Sequence, residues 1–330
     1  MKSKLSAKIA AFLFATGALA ASPPGATAAD SSRLSLAGGV ALRIDGLDAG
    51  GIRDVEGGAP FADVVRERPG PDRIVRKHVG VGKYDDITVS AGLGLSRGFW
   101  QWLQETTSGQ AARHGGEVVD LDFDYKEKSV LAFSNALVTE IGFPALDAQS
   151  KEPASLAIKL KPEFTQRKPG SGASATRPLA AKTKAWLASN FRFVLGDLPT
   201  SRVSKIDGFN VKQALADSAV GELREIQREP AALDVSNLVI TVPEQDAGPY
   251  YDWLDDFVVK GNNGADRERS GTLQFLGADF KQVLFEVGFE GVGITRITRD
   301  GGAGAGKEGT IPRVRIELYV ERLKLTPPLE

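Results

Sequence analysis

The chain has 330 residues, of which 42% are hydrophobic and 25% charged, with a formal net charge of −1 and no cysteine. That length allows two domains of ordinary size, each with its own core, and the balance excludes wholesale disorder. A charge this small gives no general attraction to nucleic acid or acidic lipid, and without a thiol neither a disulfide nor a cysteine-linked lipid anchor can form.

The first segment reads as an export signal. Lys2, Lys4 and Lys8 precede an apolar run from Ile9 to Ala20, and small residues offer cleavage after Ala20 or Ala28, which gives a signal peptide over 1–28. The run falls short of the about 20 apolar residues that cross a bilayer, so no membrane span is expected. Residues 29–39 are small and polar and read as a disordered leader.

A first domain is expected over 40–166. It opens with Leu42-Arg43-Ile44 and runs through Ile52 and Val55 to Gly57, two short strands around a turn. Arg73, Arg76, Lys77 and Lys83 form a basic group, but no aromatics interleave it as a nucleic-acid surface would require. Ile87 and Val89 mark a strand core. Phe99, Trp102 and Leu103 recur at i, i+3 and i+4, the spacing of a short amphipathic helix anchored by Trp102, with Ser96 as its N-cap. Asp120, Asp122 and Asp124 alternate with Val119, Leu121, Phe123 and Tyr125, which predicts a strand with one acidic face, solvated or pore-facing. Leu156, Ile158 and Leu160 alternate with polar residues as a further strand. Lys168 to Ala173 has linker composition, and 167–189 is expected to join the first domain to a second over 190–326.

The second domain repeats this order. Phe191-Arg192-Phe193 leads through Leu198, Val203 and Ile206 to Gly208. Ile240-Thr241-Val242 matches Ile87-Thr88-Val89 in wording. Tyr250, Trp253, Leu254 and Phe257 extend the helical spacing to i+7, with Pro249 suited to the first turn and Asp252, Asp255 and Asp256 on the wet face. Leu273-Gln274-Phe275 follows Leu121-Asp122-Phe123, and Thr295-Arg296-Ile297 follows Thr139-Glu140-Ile141. Phe285, Val287 and Phe289, and then Val314, Ile316, Leu318 and Val320, alternate as strands. A module written twice favours architecture that stacks or closes into a ring over a pocket with one unique set of groups.

Three runs imitate chemical motifs. Gly94-Leu95-Ser96-Arg97-Gly98 has the nucleophile-elbow form, yet the chain has only two histidines, and His78 and His114 leave no room for a serine, acid, histidine order. Gly301 to Lys307 has phosphate-loop spacing, but Glu308 stands where a hydroxyl is needed and a strand follows, so it reads as a hairpin loop. The aspartates from Asp120 resemble the start of a calcium loop, but Tyr125 and Leu131 occupy its glycine and glutamate positions. No catalytic, cofactor-binding or metal-binding residue is expected.

The run from Arg73 to Val89 and the run from Gly92 to Leu103 together resemble the central motif of the tail tube protein family of contractile-tailed phages. Phe191 to Leu195 with Ile206 to Gly208 resembles the first hairpin of the same family, and the likeness covers most of 40–165 and 190–325. It implies a mainly β fold: two tandem β-barrel or β-sandwich domains, each with one short helix. It also implies a structural protein rather than an enzyme, whose domains join edge to edge into rings that stack as a tube. Family subunits usually hold one such domain and assemble in the cytoplasm, whereas this chain has two and an export signal. Three chains would then close a pseudo-hexameric ring, as in duplicated baseplate hub proteins. The implied partners are further copies and other tail or injection-system components, with nucleic acid only as cargo in the lumen. The implied location is periplasmic or secreted if the signal is used, and a virion-like particle otherwise. The readings from other classes are an exported hydrolase using Ser96 and an exported β-sandwich module that binds polysaccharide or protein.

Overall fold

Alternating runs become strands because each can bury one row of side chains and leave the other in water. The computed structural model describes residues 37–68, 70–175, 186–218, 227–300 and 311–328. The signal expected over 1–28 and the run from Gly301 to Lys307 lie outside the described residues. What is described belongs to one compact unit, Leu36–Glu330, and is mainly β. The sheets are arranged as a sandwich rather than as a closed barrel.

The first half contains β1 (Ala37–Ile44), β2 (Leu47–Asp48), β3 (Gly50–Gly57), β4 (Pro60–Arg66), β5 (Lys77–Tyr84), β6 (Ile87–Leu95), α1 (Arg97–Thr107), β7 (His114–Asp122), β8 (Glu127–Phe143), β9 (Leu146–Asp147), β10 (Leu156–Lys161) and β11 (Phe164–Pro169). The second contains β12 (Phe191–Leu195), β13 (Lys205–Ile206), β14 (Phe209–Ser218), β15 (Gln227–Val235), β16 (Leu238–Pro243), α2 (Gly248–Leu254), β17 (Arg269–Leu276), β18 (Val283–Arg299) and β19 (Arg313–Thr326). Hydrogen-bonded neighbours run β1-β7-β8-β10-β6-β3 in one series and β12-β17-β18-β19-β16-β13 in the other. The order is the same, element for element.

Register agrees as well. The hairpin β4–β5 pairs Pro60 with Tyr84, Val64 with Val79 and Arg66 with Lys77, and its register breaks between Ala62 and Val64. The hairpin β14–β15 pairs Val211 with Val235, Leu215 with Pro230 and Asp217 with Arg228, and breaks between Gln213 and Leu215. Strand β8 bulges at Thr139, whose hydroxyl donates to the Lys159 carbonyl at 3.3 Å. Strand β18 bulges at Thr295, whose hydroxyl donates to the Glu317 carbonyl at 3.1 Å. Working outward from these bulges, Lys159 opposes Thr88 and Glu317 opposes Val239. Ile87 and Val89 therefore correspond to Leu238 and Ile240. The shared Ile-Thr-Val wording is displaced along the strand by one side-chain repeat, a coincidence of two β-branched runs.

The halves also exchange strands. Strand β9 pairs with β13 through Leu146↔Ile206, and β14 pairs with β8 from Phe209↔Phe143 to Lys212↔Glu140. One core cluster draws on both series and includes Ile87, Val89, Leu156, Ile158, Leu160, Ile240, Val242, Val287, Val314, Ile316 and Leu318. Each such side chain contributes about 1.5–3 kcal/mol by leaving water.

Three expectations need correction. Strand β7 ends at Asp122, because the Asp122 carboxylate accepts from the Asp124 and Lys126 amides and closes a turn. Asp124 therefore does not share a strand face with Asp120, and Phe123 in that turn is 74% exposed rather than packed beside Val119 and Leu121. The stretch expected as linker is tied down at both ends: β11 pairs with β8 as far as Pro169↔Ser129, Gly170 and Gly172 donate to Lys128 and Glu127, and Trp186 is buried against Phe275. Strand β1 begins at Ala37, within the expected leader.

Candidate assembly surface

The two helices hold each half together at one indole. Ser96 caps α1 by accepting from the Phe99 amide at 3.3 Å, which accounts for the serine between two glycines. Trp102 is fully buried and donates from Nε1 to the Ala112 carbonyl at 2.9 Å, with the His114 ring 4.8 Å from its own. His114 in turn meets Asp45 through Nδ1 at 2.5 Å. In the second half Pro249 lies in the first turn of α2, and the helix continues as a π turn, Asp255–Val259. Trp253 is buried beneath the Arg269 guanidinium, 4.9 Å from the ring centre, and Arg269 pairs with Asp197. That pairing holds the Asp197 carboxyl below the usual carboxylate range. In both halves the indole meets a nitrogen-bearing side chain, His114 or Arg269, that is itself held by an aspartate. Ile87, Val89, Ile240 and Val242 are all fully buried, as architectural residues should be.

Trp100 was not anticipated. It stands one residue off the apolar stripe, so helical spacing assigns it to the wet side, yet it is buried with its ring stacked on Phe285. Gln104 on the same helix donates from Nε2 to the Leu325 carbonyl at 3.0 Å. Helix α1 thus seats on the sheet of the second half.

The opposite arm of that contact is the hairpin β14–β15, laid along the later part of β8. The Phe209 ring stacks on Phe143, 4.6 Å between centres. Glu140 receives the Lys159 ammonium at 2.7 Å and the Asn210 amide at 2.9 Å. At the far end buried Arg228 donates to the Pro162 carbonyl at 3.3 Å, while its amide donates to Glu163 at 3.1 Å.

The corresponding hairpin β4–β5 has no such seat. It forms a two-stranded sheet by itself, and Phe61, Val64, Val65, Val79 and Val81 are exposed, Val79 to 78%. A two-stranded ribbon cannot bury these side chains, and exposed apolar residues gathered this way mark an interaction surface. A matching edge lies on β18. Strand β17 pairs with it only as far as Arg269↔Val292, whereas β19 follows it to Arg299↔Val314. Among the described residues, nothing pairs with the β17 side of β18 from Gly293 to Arg299. Thr295, Arg296, Thr298 and Arg299 are exposed there. Unpaired edges of this kind invite another strand.

Among the described residues, no three histidine, aspartate or glutamate side chains stand together as a metal site. No helix in them is long and apolar enough to cross a membrane.

Residues 40–164 match the family described as the T4-like virus tail tube protein gp19. Among solved structures, the chain is similar to the tube terminating cap of the anti-feeding prophage, at 14% identity over 42% of this chain and 88% of that one, with a TM-score of 0.36. It is also similar to a chain of the PVC sheath-tube complex of an extracellular contractile injection system in its extended state, at 16% identity over 42% of this chain and 94% of that one, with a TM-score of 0.37. No curated protein matches the sequence.

Proposed function

Proceeding from residues 40–164 as a tail tube domain of the T4-like virus family, we propose that this chain is a non-enzymatic tube or hub subunit that closes a ring with other copies of itself. It carries two tube-like domains, 40–166 and 190–326, so three chains supply the six modules of one ring. The observation that carries the reading is the identical strand order of the two series, with the seat between them filled once inside the chain and left open at its ends. Sheets that continue across subunit borders satisfy the unpaired edges and cover the apolar hairpin. Further tail or injection-system components are the partners such a ring would stack on. The N-terminal segment, if it acts as an export signal, places the ring in the periplasm or outside the cell; a particle resembling a virion is the setting if it does not. The Ser96 hydroxyl is accounted for by its capping bond, which favours no hydrolase reading.

The test is negative-stain microscopy of the purified chain together with its mass in solution. Rings with a mass of three chains, or tubes with a whole multiple of it, are expected. A stable monomer at high concentration overturns the proposal.

A further inference from the structure

We infer that copies of this chain join through a seam that repeats, residue for residue, the seam already formed between the two halves. This rests on the ring reading above and adds its surface, register and direction. The inner seam has two arms: the second-half hairpin lies on β8 of the first half, and the first-half helix α1 seats on β18 and β19 of the second. The matching registers translate both arms into a contact between two chains. Hairpin β4–β5 of one copy lies on the free β18 edge of its neighbour, and α2 of that neighbour seats on β8 and β11 of the first copy.

The hairpin arm follows from the pairings. Phe209 to Lys212 oppose Phe143 to Glu140. The hairpin registers turn Phe209 to Lys212 into Gly58 to Phe61, and the bulges turn Phe143 to Glu140 into Arg299 to Arg296. Across the seam Ala59 then opposes Thr298, Pro60 opposes Ile297, and Phe61 lies opposite Arg296. The Ser236 amide donates to Asn210 and the Asp85 amide to Ala59, so in both hairpins these residues turn their own polar groups inward and their successors turn outward. Pro60 can accept from the Ile297 amide but has no N–H to return. The seam between chains therefore has one ladder bond fewer than the inner one, while the Phe61 ring facing the Arg296 guanidinium adds a contact of a different kind.

The helix arm places one pair of opposite charges where the inner seam has a neutral contact. Trp100 corresponds to Tyr251, and Gln101, Gln104 and Glu105 correspond to Asp252, Asp255 and Asp256. Inside the chain Trp100 meets Phe285 and Gln104 meets Leu325. The corresponding positions on the first half are Ser129 and Arg167, which share a face with Asp120. Tyr251, Asp252 and Asp255 are exposed, as is Arg167. Asp255 thus reaches Arg167, whose guanidinium already meets Asp120 at 3.0 Å, and a single pair of opposite charges at this spot helps to orient association.

The test uses the full chain, which has no cysteine of its own. Ala59→Cys and Thr298→Cys are introduced together. Both sites are exposed, and in the proposed register they form a directly opposed pair without ladder bonds, where Cα atoms stand about 4.5 Å apart and a disulfide can close. Mild oxidation is expected to give a covalent trimer on a non-reducing gel, and neither single variant should give one. Rings seen by microscopy without covalent trimer overturn this seam and leave the ring reading standing. Absence of both rings and covalent oligomer overturns both. Asp255→Lys tests the second arm: trimer dissociation at least tenfold easier is expected, with recovery on adding Arg167→Asp. Unchanged dissociation in Asp255→Lys overturns the helix arm.

Discussion

Trp100 of α1 stacks on Phe285 of β18, with ring centres 4.9 Å apart and planes 29° from parallel. The pair links a helix from the first half to a sheet of the second, inside a core cluster common to both. The two halves should therefore unfold together. Trp100→Ala removes the larger partner and leaves a cavity that the surrounding strands cannot fill, at a cost of about 3–5 kcal/mol. Denaturant unfolding should show one transition in the parent and a lower midpoint in the variant. A loss below about 1 kcal/mol would mean that the stack is not a structural link.

Gly57 stands at the root of the exposed hairpin with φ +93°, a conformation glycine adopts freely and other residues do not. A Cβ there would meet the Asp86 carbonyl oxygen at 1.9 Å. Gly57→Ala should therefore cost about 1–3 kcal/mol in backbone strain, before any clash is relieved. Thermal melting reads the effect, and hydrogen exchange should place the loosening at β4 and β5.

Glu127 gives a pH dependence. Its carboxylate accepts from the Ser171 hydroxyl and from Arg43, each at 2.5 Å, and the serine bond followed by the Arg43 bond holds its carboxyl below the ordinary glutamate range. The folded state thus favours the ionised form. That stability is fully present above the unfolded glutamate value of about 4.3 and is lost as pH falls through the lower folded one. Glu127→Gln should lower the melting temperature at neutral pH and flatten its decline in acid. Parallel acid profiles for parent and variant would count against the assignment.

Ser96→Ala should cost about 1 kcal/mol through loss of the α1 cap. Ser96→Asp, which can also cap, should recover most of it. Hydrolysis of an activated ester should be the same in parent and alanine variant; a loss of turnover in Ser96→Ala would restore the hydrolase reading.

Much of this was legible along the chain. The period-two runs at Leu156 to Leu160 and Val314 to Val320 became strands with the expected face buried, and Trp102 and Trp253 became the helix anchors their spacing implied. Local wording was a poorer guide to correspondence. Ile-Thr-Val occurs in both halves, yet the partner strands align Ile87 with Leu238, because register is decided by bulges and cross-strand partners rather than by the strand's own letters. Asp122 closed a turn that alternation would have carried through to Tyr125, since its carboxylate could cap two amides at once.

The amino-acid order alone determined a mainly β chain written in two similar passages, because burial of one side-chain row is a local property of a strand. Tertiary structure decided which edges were used. Strand β14 found β8, while β4–β5 and the last stretch of β18 stayed open, although they hold the same places in the strand order of the two series. Pairing joins residues far apart in the chain and depends on where a neighbouring sheet stops, which no window of sequence contains.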